Sequence, residues 1–302
     1  MNIAYAGQII LEEIILSMSK NIRNVTGSKN LCLAGGVALN CAANGVLAKS
    51  KLFDSIYVVP APGDDGQVLG KLFDIVLRNN IDIDLKVRTS YLGLSYDESE
   101  IDECLIKYKD IVKFETFNKK TQLFEEVSQR LEQNQVLGWY QGRSEVGPRA
   151  LGNRSIIADP RNSLVRDRIN SQIKRREMFR PFAPCILENF LEEYFSNGIK
   201  SPFMSFVLNS TSLANHKIPA VVHVDKTSRV QSLSKQENPL FYGLIKNFYE
   251  RTGVPVLLNT SFNGKNEPIV ETPEDSIKAF LSLGLDGLVL GNRFIEKIKN
   301  KF

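Results

Sequence analysis

Histidine is nearly missing from this chain of 302 residues: there are two, His216 and His223, both in the second half, and no HxxxH or HExxH pairing occurs. A metal centre built on two histidines of one helix is thereby excluded. Cysteine is scarce as well. Cys32, Cys41, Cys104 and Cys185 are irregularly spread with no CxxC pair, which gives no zinc motif and fits a reducing cytoplasm. No run approaches the roughly 20 apolar residues of a membrane helix. The opening MNIAYAGQIILEEII holds two glutamates and lacks the basic flank and cleavage site of a signal peptide, so no membrane partner is expected. Compositional bias is absent too: 43% hydrophobic, 24% charged and a net charge of +4 exclude a disordered chain, a collagen-like repeat and an acidic tail. The length suits two domains, each with its own core.

What is present reads first as alternating helix and strand. Ile9, Ile10, Ile14, Ile15 and Met18 recur at helical spacing. Leu31 to Ala34 is a short apolar run ending at Gly35-Gly36, and Ile56 to Val59 is a second, broken by Pro60, Pro62 and Gly63. With a helix over about 38–49 between them, these runs predict buried strands of a mostly parallel sheet, whose carboxyl ends carry the ligand sites. The pattern loosens over 79–89, and a domain boundary is expected by residue 93. Beyond it the spacing predicts helices near 97–109, 121–133, 163–173, 239–251 and 273–283, and strands near 136–140, 155–158, 254–258 and 287–290. Thr272-Pro273-Glu274-Asp275 is a helix start, with Thr as N-cap and acids beside the positive helix end.

Charge is not evenly spread. Residues 143–180 hold ten basic side chains, nine of them arginine, against four acids, a net +6 that leaves the remainder at −2. Arginine forks bind phosphate oxygens in bidentate fashion. Arg149, Arg154 and Arg180 adjoin Gly147-Pro148, Gly152-Asn153 and Pro181 and read as an anion site. Arg166, Arg168, Arg175 and Arg176 read as a solvated face. Nucleotide, phosphate ester and nucleic-acid backbone all remain open as the anion, but sequence-independent RNA binding calls for a broader patch with stacking aromatics. This stretch contains only Phe179.

Three other constellations stand out. Asn259-Thr260-Ser261-Phe262-Asn263-Gly264 follows an expected strand and suits a phosphate contact or a plain polar turn. His223, Asp225 and Arg229 fall within seven residues, suiting acid–base or phosphate work, although His223 taken singly reads as a hydrogen-bonded structural histidine. Asp64 and Asp65, in PAPGDDG, could hold a divalent cation or cap a helix.

Taken in order, LAGGVALNCAANGVL, VVPAPGDDGQVLG, EVGPRALGNRSIIADP, REMFRPFAP, PAVVHVD, RVQ and PVLLNTSFNGKNEPIVETPED resemble the O-carbamoyltransferase family of the NodU/CmcH type, over about Asn30 to Asn292. The resemblance implies an α/β fold with a partial actin/Hsp70-like (ASKHA) lobe over 1–93 and a YrdC-like domain over 94–302. It implies that the YrdC-like part makes carbamoyl-adenylate from carbamoyl phosphate and ATP, and that the actin-like part passes the carbamoyl group to a hydroxyl of a small-molecule acceptor beside a metal. By the same resemblance Gly35, Gly36 and Asn40 contact adenosine, Asp64 ligates the metal, and Arg149, Arg154 and Arg180 are catalytic. Arg143, His223, Arg229, Asn259, Ser261 and Asn263 complete the nucleotide and carbamoyl phosphate site. The implied cofactors are ATP, Mg2+ and a divalent transition metal, Fe2+ or Mn2+, at a site left incomplete here. Family members run to about twice this length, and their N-terminal portion carries an HxxxH motif absent here. A separate N-terminal half is therefore the expected partner, and the partial lobe is expected to expose an apolar face. Nucleic acid is not an expected partner. The alternative is a non-catalytic nucleotide- or RNA-binding YrdC-like module.

Overall fold

The computed structural model describes residues 2–82, 89–196 and 198–298; residues 83–88, within the stretch where the boundary was expected, lie outside them. The chain opens on a 25-residue helix, α1 (Asn2–Thr26), then β1 (Asn30–Leu33), α2 (Cys41–Lys49), β2 (Ser55–Val58) and α3 (Gln67–Arg78). β1 and β2 pair in parallel, Asn30 opposite Ser55 through Leu33 opposite Val58. Their apolar runs predicted strands covered on both faces. Instead this sheet has two strands among the described residues, and three of the four positions in β2 and all four in β1 are exposed or half-buried. The missing cover leaves apolar surface on the helices too. α1 buries only Ser19, while Ile3 is 91% and Val25 79% exposed, and Val68, Leu72 and Ile75 of α3 are exposed.

Residues 98–297 build a wide mixed sheet from β3 (Val112–Thr116), β4 (Leu137–Tyr140), β5 (Arg154–Ala158), β6 (Ala183–Leu187), β7 (Phe195–Ser196), β8 (Phe206–Ser210), β9 (Thr227–Leu233), β10 (Val256–Ser261), β11 (Gly287–Leu290) and β12 (Arg293–Lys297). The order is β3-β12-β11-β4-β5-β10-β6-β9-β8-β7. Only β4–β11 and β6–β9 are parallel. Every residue of β4, β5, β6 and β11 is buried, and β4 and β11 accordingly read as continuous apolar runs. Around the sheet lie α4 (Glu98–Tyr108), α5 (Lys120–Glu132), α6 (Ser163–Arg168), α7 (Leu191–Tyr194), α8 (Ser212–Lys217), α9 (Pro239–Thr252) and α10 (Pro273–Ser282). Arg293 on β12 ties α4 to the sheet, its Nε and Nη2 donating to Asp102 at 2.8 and 2.7 Å and its Nη1 meeting Glu98.

The helix starts follow local chemistry. Asn238 caps α9 through its side chain, with Pro239 in the first turn, and Gly253 at φ 71° ends the helix. Thr272 and Asp275 form a capping box on α10, Thr272 accepting from Asp275 N at 3.0 Å and Asp275 from Thr272 N at 2.9 Å. Replacing Thr272 with Ala leaves an amide uncapped and is expected to lower stability by about 1 kcal/mol, read as a lowered urea midpoint with unchanged slope.

Candidate functional site

The loop between β4 and β5 carries Arg149, and many of its polar groups are pinned. Glu145 Oε1 accepts from the backbone N–H of Leu151 at 2.7 Å, Asn153 at 2.8 Å and Arg154 at 3.4 Å. Tyr91 Oη and Gln231 Nε2 both donate to Leu151 O, Trp139 Nε1 to Gly152 O, and Asn259 Nδ2 to Ala150 O. Two glycines allow the path. Gly152 sits at φ 113° with its Cα against the Phe241 ring, and Gly147 at φ 108°, where a Cβ would lie 2.7 Å from Pro60 O. The arginine-bearing loop thus packs directly on the PAPGDDG segment.

This loop edges a cavity of about 430 Å3 lined by Arg149, Arg176, Arg180, Arg229, His223, Asp225, Asn259 and Ser261, with Cys41 and Ala42 of α2 closing one side. The N-terminal segment meets the large sheet here: Asn44 Nδ2 donates to Ser205 O at 3.0 Å and Lys49 Nζ to Asn209 Oδ1 at 2.8 Å. Four guanidinium groups line the cavity and Asp225 is its one carboxylate. Burial and the neighbouring Arg149 push Arg229 down to about 10. Burial and Arg180 do the same to Arg176, also to about 10. Arg176 stacks on Phe182 with 4.6 Å to the ring centroid and donates to Asn170 Oδ1 at 2.7 Å. Among the described residues neither Arg149 nor Arg229 has an ion pair with a carboxylate. Cationic groups so depressed bind an anion readily, because its charge relieves both desolvation and mutual repulsion.

In the sequence Lys174 is indistinguishable from the basic run in which it sits. α6 continues into a π-turn, Ile169–Ile173, which swings Lys174 inward. Its Nζ reaches Ser261 O (2.6 Å), Ser261 Oγ (3.2 Å), Asn263 O (3.0 Å) and Asn263 Oδ1 (2.7 Å). Burial, helped by Arg176, lowers its amine to about 7. Arg176, read from sequence as part of a wet face, belongs to the cavity. The only local signal for both is the KRR run itself, since the SFN triplet that Lys174 meets begins 87 residues further along the chain.

Other residues fall elsewhere. Arg154 does not line the cavity, so the expectation that it contacts an anion gives way to a structural role. Its guanidinium is fully buried 3.6 Å over the Tyr140 ring and donates to the carbonyls of Gln141, Asn153, Gly142 and Leu94. Opening β5 at a position whose side chain points inward, it is spent on backbone acceptors. Arg143 is exposed and donates to Leu92 O at 2.9 Å, outside the cavity lining. Asn263 is held by Lys174 and by Glu267 O. Gly35 and Asp64 line a second cavity of about 330 Å3. Gly36 starts a short 3-10 turn, and Asn40 caps α2 and pairs with Gln8 Oε1 at 2.8 Å. The turn expected to contact adenosine therefore opens on a different cavity from the arginines. Asp64 Oδ1 accepts from Gln67 Nε2 at 3.0 Å, and among the described residues no group of three His, Cys, Asp or Glu side chains is disposed to hold a metal ion. The residues present do not fit a resident transition metal, and no step is derived through one.

Two outcomes are expected. Lys174 is neutral near pH 8 when folded and protonated when unfolded, so the unfolded state binds more protons and stability rises with pH. The rise is expected to be up to about 1.4 kcal/mol per unit between pH 7 and 9, and absent in Lys174→Met, as measured by denaturation at each pH. Arg154→Met removes a hydrogen bond from each of four carbonyls. Among the described residues only Asn153 O and Leu94 O of these keep a backbone donor, Gln141 N and Ser144 N. The substitution should therefore lower the thermal midpoint, whereas Arg149→Met should leave it nearly unchanged.

Comparison with known proteins matches both parts of the chain to one family. The family model "carbamoyltransferase C-terminus" matches residues 128–297 and "carbamoyltransferase N-terminus" matches residues 1–72. The chain is 40% identical over 298 residues to the nodulation protein NolNO of Sinorhizobium fredii, covering 96% of this chain and 43% of that one. It is equally identical over 298 residues to NolO of Bradyrhizobium diazoefficiens, covering 53% of that protein. The chain spans about half the length of the curated relatives it matches. A crystal structure of full-length HypF in phosphate- and nucleotide-bound form superimposes on 79% of this chain with a TM-score of 0.42 and 14% identity, over 36% of HypF. Among the described residues no helix is long and apolar enough to cross a membrane. The chain belongs to the carbamoyltransferase family.

Proposed function

We propose that this chain forms carbamoyl-adenylate from carbamoyl phosphate and ATP in the arginine cavity. The carbamoyl group then passes to a hydroxyl of a small-molecule acceptor. The observation that carries the reading is the set of four arginines against one carboxylate, beside a buried lysine bonded to Ser261 and Asn263. Both substrates are phosphorylated, and charge builds on the phosphates as the acyl and α–β bonds break. Preorganised donors in a cavity sheltered from water lower the free energy of that charge. Arg149, Arg176, Arg180 and Arg229 are the proposed phosphate contacts, Lys174 and Ser261 hold the nucleotide side, and His223 and Asn259 bound the carbamoyl donor. ATP enters as its Mg2+ complex, which adds positive charge on the phosphates. Residues 1–93 are the proposed actin-like part and 94–302 the YrdC-like part.

Transfer to the acceptor is proposed to need the remaining part of the N-terminal module, which pairs with the apolar surface of α1 and α3. Ile3, Ile10, Ile14 and Val25 support this reading, since a solvated helix gains nothing from such a face. In our reading the chain works in the cytoplasm, where both phosphorylated substrates are found.

Carbamoyl-phosphate-dependent ATP–pyrophosphate exchange by the purified chain tests the proposal. Arg149→Ala is expected to reduce exchange by at least about 100-fold, the usual loss for one charge-stabilising donor, with an unchanged melting profile. Full exchange in that variant would sink the assignment.

A further inference from the structure

His223 and Asp225 share the tight turn that leads into β9. His223 N donates to Thr227 O at 2.8 Å and Lys226 N returns to His223 O at 2.9 Å, Lys226 closing the turn at φ 61°. Asp225 Oδ1 accepts from N and Oγ1 of Thr227 at 3.0 and 2.6 Å, and lies 3.1 Å from His223 Nδ1. Burial raises the Asp225 carboxyl, but the bonds from Thr227 and His223 outweigh it and hold the group below the usual carboxylate range. An ionised carboxylate only accepts, so Nδ1 carries the proton of this pair and Nε2 keeps its lone pair in the neutral ring. Both side chains line the arginine cavity. The charged and titratable groups around them are Arg229 from β9, Arg149 from the pinned loop, Arg176 and Arg180 from the stretch before β6, and Cys41 from α2. An imidazole oriented by a carboxylate and surrounded by arginines is arranged for proton transfer next to a phosphorylated ligand.

We propose that His223 is the general base for hydrolysis of an acyl phosphate in this cavity and that Asp225 is its positioning residue. The inference rests on the carbamoyl phosphate reading above. Nε2 takes a proton from water as the water oxygen bonds to the carbonyl carbon. The bond from that carbon to the phosphate oxygen then breaks, and phosphate leaves with the electron pair and receives the proton from the imidazolium. The organic product is carbamic acid, which ionises to carbamate. A carbamate oxygen then attacks the α-phosphorus of ATP and displaces pyrophosphate, a step that needs no base. Asp225 acts through His223 by fixing the tautomer and ring orientation, and His223 is thus required for the first step alone.

The two half-reactions separate under assay. Phosphate release from carbamoyl phosphate reports the first. ATP–pyrophosphate exchange supported by carbamate, supplied as an ammonium and bicarbonate mixture, reports the second. His223→Gln is expected to slow phosphate release by about 100-fold or more, within the range for losing a general base, and to slow carbamate-supported exchange at least about tenfold less. The acid limb of the pH–rate profile for phosphate release should vanish in His223→Gln and shift in Asp225→Asn, and melting curves serve as the folding control. Equal loss in both assays, or an acid limb retained in His223→Gln, overturns the base role. So does a wild-type chain that exchanges with carbamate yet releases no phosphate from carbamoyl phosphate, although adenylate formation then stands. A wild-type chain inactive in both assays overturns the adenylate-forming reading and this inference with it.

Discussion

Like charges held close together with few counter-ions set the terms for the rest of this molecule. Four arginines line one cavity with a single carboxylate among them, and left alone they would splay toward water. Three of them are restrained in different ways. Arg149 rides on a loop whose carbonyls and amides are taken up by Glu145, Tyr91, Trp139, Gln231 and Asn259. Arg176 lies flat on Phe182, and Arg229 belongs to β9, paired on both sides by β6 and β8. The buried sheet supplies the rigidity that keeps the repulsion in place, and an anion bound there would relieve it.

The same logic separates residues that look alike in the sequence. Arg149 and Arg154 lie five positions apart, each two residues after a glycine. One lines the cavity and the other is fully buried over Tyr140 with its Nη atoms on backbone carbonyls. Side-chain direction at the start of β5 decides between them, and neither composition nor flanking residues encode it. Lys174 is the reverse case. A lysine within a basic run reads as solvated, but the π-turn before it rotates it onto Ser261 and Asn263.

Much of the fold was legible because local signals agreed with burial. Pro239 in the first turn of α9, the Thr272 cap of α10, and the apolar runs of β4 and β11 all stand where their patterns predict. β6 did not stand out, since Pro184 interrupts a run that pairs with β10 on one side and β9 on the other. β8, β9 and β12 carry polar residues whose burial depends on distant neighbours. The motif segments were recognisable one by one, but their division between two cavities was not. Gly35 and Asp64 line one and Arg149 the other, and that partition arises from packing between segments far apart in the chain.

The contact between Gly147 and Pro60 has a bearing on how this protein can vary. A single methyl group on residue 147 would press into the Pro60 carbonyl, and Pro60 also lines the second cavity. The loop that carries Arg149 and the segment that lines the second cavity therefore touch with no room for a side chain at 147. A substitution that enlarges residue 147 must be matched by one across the seam, so the Arg149 loop and the PAPGDDG segment are constrained to vary together at this point.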